Sequence, residues 1–500
     1  MDLKQHLDNG VVGFPTALAS TVGLIQASPV ILTATMGFGL GGSTFVMAVI
    51  LSFLMMLCQS TTFSEAAAIL PTTGSVYDYI SCGLGRFFGI VGTLTAYVLV
   101  MAFAGTSEAV LSGVMATVNF DVLHNTLEAA GMEWMVGIGL FIVFAVLNIF
   151  GITVFSRAEV VLTFGMFSTL MIFGITGLIK APLVQLDGFF GTSMVGTDLN
   201  TILSFIGMAM FMFVGAEYVT PLAPELKNSA RNIPKAMYIG LTAVFVCLLI
   251  YGAAVSRQVA NVALDAEGTV HLLDTPLAIP MFANQVMGPI GKIWIGIGFL
   301  CAGCATINTM MAGLPRLLYG MAVDGALPKI FGYLHPRFKT PVFSIVVACL
   351  IPCAPALYVK GDVDRLMPLI LAAVCCWGVA YLMVTLSVVV LRIRRPDLPR
   401  AYRAPLYPLP QILSSVGIVI AMCYIAPPGM NPMDIYLPFG VMLGLTALYA
   451  LVWTVFVQRS NPFIPVPVEQ ILAEEFEGAD PIFTEPLFSD GEGDKAIEAG

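Results

Sequence analysis

Two short stretches place polar and helix-breaking residues in the middle of otherwise uncharged apolar runs: Gln26-Ala27-Ser28-Pro29 and Val214-Gly215-Ala216-Glu217. Pro29 has no N–H to donate and glycine is a poor helix former, so each run is predicted to open there. A carboxylate at membrane depth is costly unless it faces water or a partner. Burial raises a carboxyl pKa and an adjacent cation lowers it again, so such an acid can exchange a proton for a cationic molecule. Glu217 is the leading candidate for that chemistry, either pairing with an ammonium or taking a proton. A structural acid hydrogen-bonded to neighbouring helices is the alternative reading of the same residue. Two interrupted helices with a buried acid between them point to a central binding site for a small molecule.

The elements that must position these stretches follow from composition. Of 500 residues, 58% are hydrophobic and 11% are charged, and the mean hydropathy is +0.90. Soluble domains carry about 25% charged residues. The chain divides into apolar segments of about 20 residues, each long enough to span a bilayer. The expected spans are 14–38, 43–69, 87–113, 135–155, 159–179, 201–222, 236–255, 288–319, 341–358, 366–391, 410–427 and 436–457. The short alternating segments of a β-barrel are absent. The fold class is therefore an all-α polytopic membrane protein with twelve transmembrane helices. The lipid bilayer is its first partner, and no nucleic acid is expected.

The predicted organisation is a cytoplasmic N-terminus (1–13), a twelve-helix domain (14–457) and an acidic tail (458–500). After Arg459 the tail holds ten acids and one base, Lys495, which accounts for the net charge of −9; a solvated, disordered segment is the expectation. With the N-terminus inside, 17 Lys and Arg residues face the cytoplasm and five face out, which satisfies the positive-inside bias and places both termini in the cytoplasm. No small-residue cleavage site follows Asp2, Lys4 and Asp8, so the first span reads as an uncleaved anchor. The broken spans are the first and sixth. That separation predicts two five-helix halves of opposite topology, about 14–179 and 201–391, with helices at about 410–457 appended. The segment 256–287, with Val270-His271-Leu272-Leu273, reads as an outer lid or half-helix.

Other chemistry is sparse. The ten cysteines lie mostly inside spans as small packing residues. Cys301 and Cys304 form a C-x-x-C with no nearby second pair or histidine, so no metal and no cofactor are expected. A P-loop is missing, which argues against ATP-driven work in this chain. No nucleophile–base set falls within the spans, so an enzyme is not expected and no catalytic residues are assigned.

Four motifs carry a resemblance. They are Ser64-Glu65-Ala66 with Pro71 and Gly74-Ser75-Val76-Tyr77; Phe213 to Glu217 with Pro224-Glu225-Leu226-Lys227-Asn228 and Arg231-Asn232-Ile233-Pro234; Arg316-Leu317-Leu318-Tyr319-Gly320 with Asp324-Gly325 and His335-Pro336-Arg337; and Leu391-Arg392-Ile393-Arg394-Arg395-Pro396 with Arg400, Tyr402 and Arg403. In this order they resemble the amino acid–polyamine–organocation permeases over residues 11–457. The resemblance implies a leucine-transporter-like 5+5 inverted repeat with helices 1 and 6 broken and two extra helices. It implies secondary transport of amino acids, amines or polyamines across the plasma membrane, the inner membrane of a bacterium, by alternating access. A non-transporting nutrient sensor with the same fold, or a channel, is the competing expectation.

The binding residues expected on this basis are Gln26, Ala27, Ser28, Pro29, Tyr97, Phe211, Val214, Gly215, Glu217, Met310 and Trp377. Phe211 stands where related proteins place an aromatic gate, and Met310 falls near the pocket by its spacing from Asp324. Phe211, Tyr97 and Trp377 would offer an ammonium a cation–π contact. Proton coupling or gating falls to Glu217, Glu108 and Glu65. Glu108 is expected late in the third span near the outside, steering cations into a vestibule or resting at the interface. Glu65 is expected at the inner end of the second span with basic loop residues. Asn148 and Asn308 are expected to tie helices together.

One departure from the family pattern bears on the substrate. Many amino-acid members carry Gly-Ser-Gly at the first break, whose N–H groups cradle the substrate carboxylate. Here the triplet is Ala27-Ser28-Pro29, which removes one donor. Some polyamine importers of the family share the proline, which otherwise simply starts a half-helix well. The partner is thus expected to be a small cationic or zwitterionic amine or amino acid. The fifth span lacks the lysine that replaces sodium in some members, and the four histidines lie outside the spans. Thr306 and Thr309 are weak sodium candidates, so protons or pure exchange are favoured. A monomer or homodimer is expected.

Overall fold

The computed structural model describes residues 7, 10–127, 131–180, 189–191, 193–258, 279–360, 362 and 365–476. Among these residues the chain is helical and contains no strand. Nine of the described helices are long and apolar enough to cross a membrane. The protein is a polytopic helical membrane protein. The acids beyond 476 and the predicted lid around 270–273 lie outside the described residues.

In chain order the helices are α1 (Phe14–Ile25), α2 (Ser28–Ile69), α3 (Val76–Leu84), α4 (Arg86–Asn119), α5 (Asp121–Leu127), α6 (Trp134–Ile149), α7 (Ile152–Ile179) and α8 (Leu199–Phe211). A 3-10 helix, Ala216–Glu225, comes next. Then come α9 (Ser229–Gln258), α10 (Ile279–Met287), α11 (Pro289–Val323), α12 (Val342–Val359), α13 (Leu366–Arg394), α14 (Leu409–Cys423), α15 (Met433–Val457) and α16 (Val468–Phe476).

At 42 residues, α2 would be about 63 Å long, roughly twice the hydrocarbon thickness. It does not run straight. Gly42 takes φ 48° and ψ −128°, a conformation open to glycine and not to residues with a side chain, and two helical segments meet there. Five expected bounds are corrected. α4 continues past 113 to Asn119, α6 ends at Ile149 and not at 155, α7 begins at Ile152 and not at 159, the sixth span finishes as a 3-10 helix that reaches Glu225, and α9 begins at Ser229 and not at 236. Two π segments, Leu94–Leu99 and Met101–Gly105, lie inside α4. Each i→i+5 turn adds a residue to the ladder and rotates the helix beyond it.

Helices pack through small residues and side chain–backbone hydrogen bonds, as membrane interfaces do. A Cβ on Gly320 of α11 would lie 2.6 Å from the backbone of Gly74. α1 is tied to α7 by Thr163 donating to the Ala19 carbonyl at 3.2 Å, and to α11 by Thr306 donating to the Gly23 carbonyl at 2.9 Å. Asn148 donates to Asn308 at 3.0 Å, joining α6 to α11 as expected. Leu437, Val441, Leu445 and Leu448 of α15 form an exposed apolar stripe, suited to lipid contact.

One end of the bundle gathers the charges. Arg316 pairs with Glu225 at 2.5 Å, Arg86 with Asp324 at 2.8 Å, and Glu65 with Arg392 and with Arg400, the latter at 3.3 Å. The chain on both flanks of the bundle returns to this end. Val12 bridges Leu226, Val466 donates to the Ser81 carbonyl at 3.0 Å, and Glu475 accepts from Thr73 at 3.1 Å. The segment expected to be a disordered tail from 458 is therefore ordered as far as 476. Proline-rich Pro462 to Pro467 fits against α3 and α4, and Glu469 pairs with Arg395 at 2.7 Å. That pairing holds the Glu469 carboxyl below its ordinary pKa.

Candidate helix-break site

The first break is short. α1 ends at Ile25; Gln26 still donates its N–H to the Val22 carbonyl at 2.9 Å, while Ala27 is extended with ψ 158°. Pro29 stands in the first turn of α2, where its missing N–H costs no helical hydrogen bond. The Ser28 N–H donates to Oε2 of Glu108 at 3.1 Å, and Val30 and Ile31 both donate to the Ala27 carbonyl. Glu108 also accepts from the Ser112 hydroxyl at 2.8 Å.

The second break spans Met212 to Gly215. Gly215 has φ 97°, a left-handed conformation that a Cβ would strain. Its N–H donates to the Tyr381 hydroxyl at 3.0 Å. The two breaks touch: a Cβ on Gly215 would lie 2.6 Å from Leu24 Cδ2. Just beyond the turn, Glu217 accepts from Trp377 Nε1 at 2.9 Å and from the Tyr381 hydroxyl at 2.6 Å. Both donors belong to α13.

A cavity of about 10 Å³ lies between the breaks, on the order of the space that one water requires. Six expected residues line it: Ala27, Pro29, Phe211, Val214, Met310 and Trp377. Leu24, Ile25, Val30, Ala104 and Thr306 also line it and were not among the expected binding residues. Five expected residues do not line it. Ser28 is spent on Glu108 and on the Phe299 carbonyl, and Gln26 donates to Cys247 Sγ at 3.1 Å. Tyr97 packs against Tyr218, the rings tilted by 38° with centroids 4.4 Å apart. Gly215 and Glu217 sit behind the wall, held by α13.

Glu108 corrects the expectation of an acid near the outer face. It is 1% exposed, lines the cavity and caps the start of α2. The physical reason is the true length of α4. Because the helix runs on to Asn119, Glu108 lies well inside it, and Gly303 of α11 gives its carboxylate room, a Cβ there coming within 3.0 Å of Oε1.

A third buried acid, Glu159 on α7, has no counterpart in the sequence expectations. It accepts from Asn308 Nδ2 at 2.7 Å and from Thr163 at 3.2 Å, and a Cβ on Gly23 would stand 2.2 Å from its Oε1. Glu65 keeps its expected place with basic residues. It accepts from Arg392 and from the Ala404 N–H at 2.9 Å, and Arg392 lies over the Tyr407 ring.

The model of the amino acid permease family matches residues 12–448. The chain belongs to the amino acid permease family. The permease is similar to the serine/threonine exchanger SteT of Bacillus subtilis (strain 168), 24% identical over 418 residues that cover 82% of this chain and 90% of SteT. It is similar to the branched-chain amino acid permease BcaP of the same organism, 22% identical over 443 residues, 84% of this chain and 88% of BcaP. The methylthioribose transporter of that organism is 22% identical over 410 residues, 79% of this chain and 84% of the relative. The permease is a membrane transporter and not an enzyme. Its relatives' names cover different substrates at nearly equal identity, so specificity has to be sought in this chain's own cavity.

Proposed function

We propose that this permease is a secondary active transporter of a small amino acid or related organic amine, moved across the plasma membrane by alternating access. The observation that carries the reading is that residues from both helix breaks, Ala27 and Pro29 with Phe211 and Val214, line one cavity beside a buried carboxylate. A cavity of about 10 Å³ is far below what an amino acid needs. Entry therefore requires the half-helices to move, and broken helices supply the hinges.

The layout that supports this motion is twelve crossings. α1 and the first part of α2 make one crossing, and the rest of α2 makes the second. The shorter apolar helices α6 and α14 complete the count with the long ones. The repeats are 14–179 and 201–391, with two helices appended. The residues near both ends of the chain meet at the charged end of the bundle, which suits an even number of crossings and two cytoplasmic termini.

Protons are the favoured coupling ion. Glu108, Glu159 and Glu217 are each at most 2% exposed, and none pairs with a basic side chain among the described residues. A carboxyl group at membrane depth with no basic partner is costly to keep without a function, which marks these three acids as the candidates to carry the proton.

Counterflow in proteoliposomes tests the reading. Accelerated uptake of labelled substrate into vesicles preloaded with the same unlabelled substrate is expected. Saturable binding without flux would favour a sensor, and non-saturating conductance would favour a channel.

A further inference from the structure

We propose that Pro462 to Phe476 form a clamp that holds the charged end of the transport path shut, and that release of Glu475 from Thr73 favours opening at that end. This rests on the reading of the permease as an alternating-access transporter, and it adds a regulatory element to it.

The body of the clamp is seated by packing. The Pro462 carbonyl accepts the Phe87 N–H at 3.0 Å, and the Phe463 ring meets Phe87 edge-on with centroids 5.6 Å apart. Gly85 makes the close approach possible, since a Cβ there would lie 2.8 Å from the Pro462 carbonyl oxygen. Val466, Val468 and Ile471 follow, each at most 4% exposed, and burial of three branched apolar side chains holds the segment down. Glu469 also pairs with Arg395, but that acid is exposed, and exposed pairs contribute little. α16 then carries the chain to Glu475.

The tip of the clamp acts on the inner turn between α2 and α3. Glu475 Oε1 accepts the Thr73 N–H at 3.1 Å and also the Thr73 hydroxyl. The turn has little slack. A Cβ on Gly320 of α11 would lie 3.1 Å from the Thr73 carbonyl carbon. Ser75 takes φ 45° and ψ −114°, a conformation that persists only where the surroundings impose it. Its hydroxyl lies 2.6 Å from that of Thr220, and Thr220 spends its own proton on the Glu217 carbonyl at 2.7 Å, so Ser75 is the donor between them. Ser75 and Thr220 are fully buried.

This chain of contacts joins the clamp to the second helix break. The 3-10 helix Ala216–Glu225 runs from Glu217 to the charged end, where Glu225 pairs with Arg316. Opening at that end requires this helix to leave Ser75. By pinning Thr73, Glu475 keeps Ser75 in its strained, donating position. With Glu475 withdrawn the turn relaxes, the bond from Ser75 to Thr220 is lost, and the closed state loses stability relative to the open one.

The test uses a cysteine-depleted, full-length permease with Ala27→Cys as reporter and a membrane-impermeant thiol reagent applied to sealed vesicles of each orientation. Adding Glu475→Ala is expected to speed modification from the face that bears the charged end by about tenfold, the ratio to which loss of one charge-assisted hydrogen bond corresponds. No rise is expected from the opposite face. An unchanged rate from the charged end overturns the proposal, and so does a comparable rise from both faces, which mere loosening of the fold would give. Should Glu475→Ala fail to fold, Thr73→Val removes a donor from the other side of the contact and is read by the same outcomes. A parent reporter modified from both faces, with no effect of Glu475→Ala, sinks the clamp and leaves alternating access standing. A parent modified from one face only, with no new access in the variant, contradicts alternating access itself and takes the clamp with it.

Discussion

The Tyr381 hydroxyl donates to Glu217 at 2.6 Å and accepts the Gly215 N–H at 3.0 Å. One phenol on α13 thus holds both the unwound turn and the acid just beyond it. Because α13 supplies Trp377 to the same carboxylate, any movement of the sixth-span break relative to α13 must break or carry these contacts.

Tyr381→Phe leaves the Gly215 N–H without its acceptor and Glu217 without one donor, in a site closed to water. Leaving buried polar groups unsatisfied costs about 1–3 kcal/mol. A lower unfolding midpoint in detergent is expected, and an unchanged midpoint would show that the turn does not depend on this hydroxyl.

Glu217→Gln keeps a hydrogen-bonding side chain of the same size and removes the titratable group. Net uptake driven by a proton gradient is expected to be abolished. Wild-type net uptake with its pH dependence intact would remove this acid from coupling and leave Glu108 or Glu159 to carry the proton.

Gly215→Ala places a Cβ at φ 97° and 2.6 Å from Leu24 Cδ2. The left-handed conformation alone costs about 1–2 kcal/mol, although the Leu24 side chain is able to shift. Slower transport with a lower unfolding midpoint is expected, measured side by side in proteoliposomes and in detergent.

Glu65→Ala leaves the Arg400 guanidinium, 3% exposed, without its carboxylate. Breaking a buried pair by removing one partner costs about 3–5 kcal/mol. A large loss of folded protein after solubilisation is expected, with partial recovery when Arg400 and Arg392 are also neutralised. Fluorescence-detected size exclusion reads both outcomes.

What the sequence made legible divides along a physical line. The two breaks are local backbone properties: proline lacks a donor and glycine tolerates positive φ, so Pro29 and Gly215 mark them without any knowledge of neighbours. The helix ties of Asn148 and Asn308, and a basic partner for Glu65, are legible because polar groups in lipid require partners. Depth along a helix is not local. Glu108 reads as interfacial when its span is ended at 113, and Glu159, the first residue of a span started at 159, draws no reading at all. In the structure α4 runs to Asn119 and α7 starts at Ile152, which draws both acids inward. The pairing of Glu108 with Ser28 joins residues 80 positions apart, and no periodicity announces it. The order of Pro462 to Phe476 was hidden by the acidity of the chain beyond it.

Accessibility of the first break from both sides of the membrane tests the central claim most directly. In a cysteine-depleted permease carrying Ala27→Cys, a membrane-impermeant thiol reagent is applied to right-side-out and to inside-out vesicles. Alternating access predicts modification from either side. Modification from neither side, or from one side only, would contradict a site between two helix breaks that opens in turn to each face.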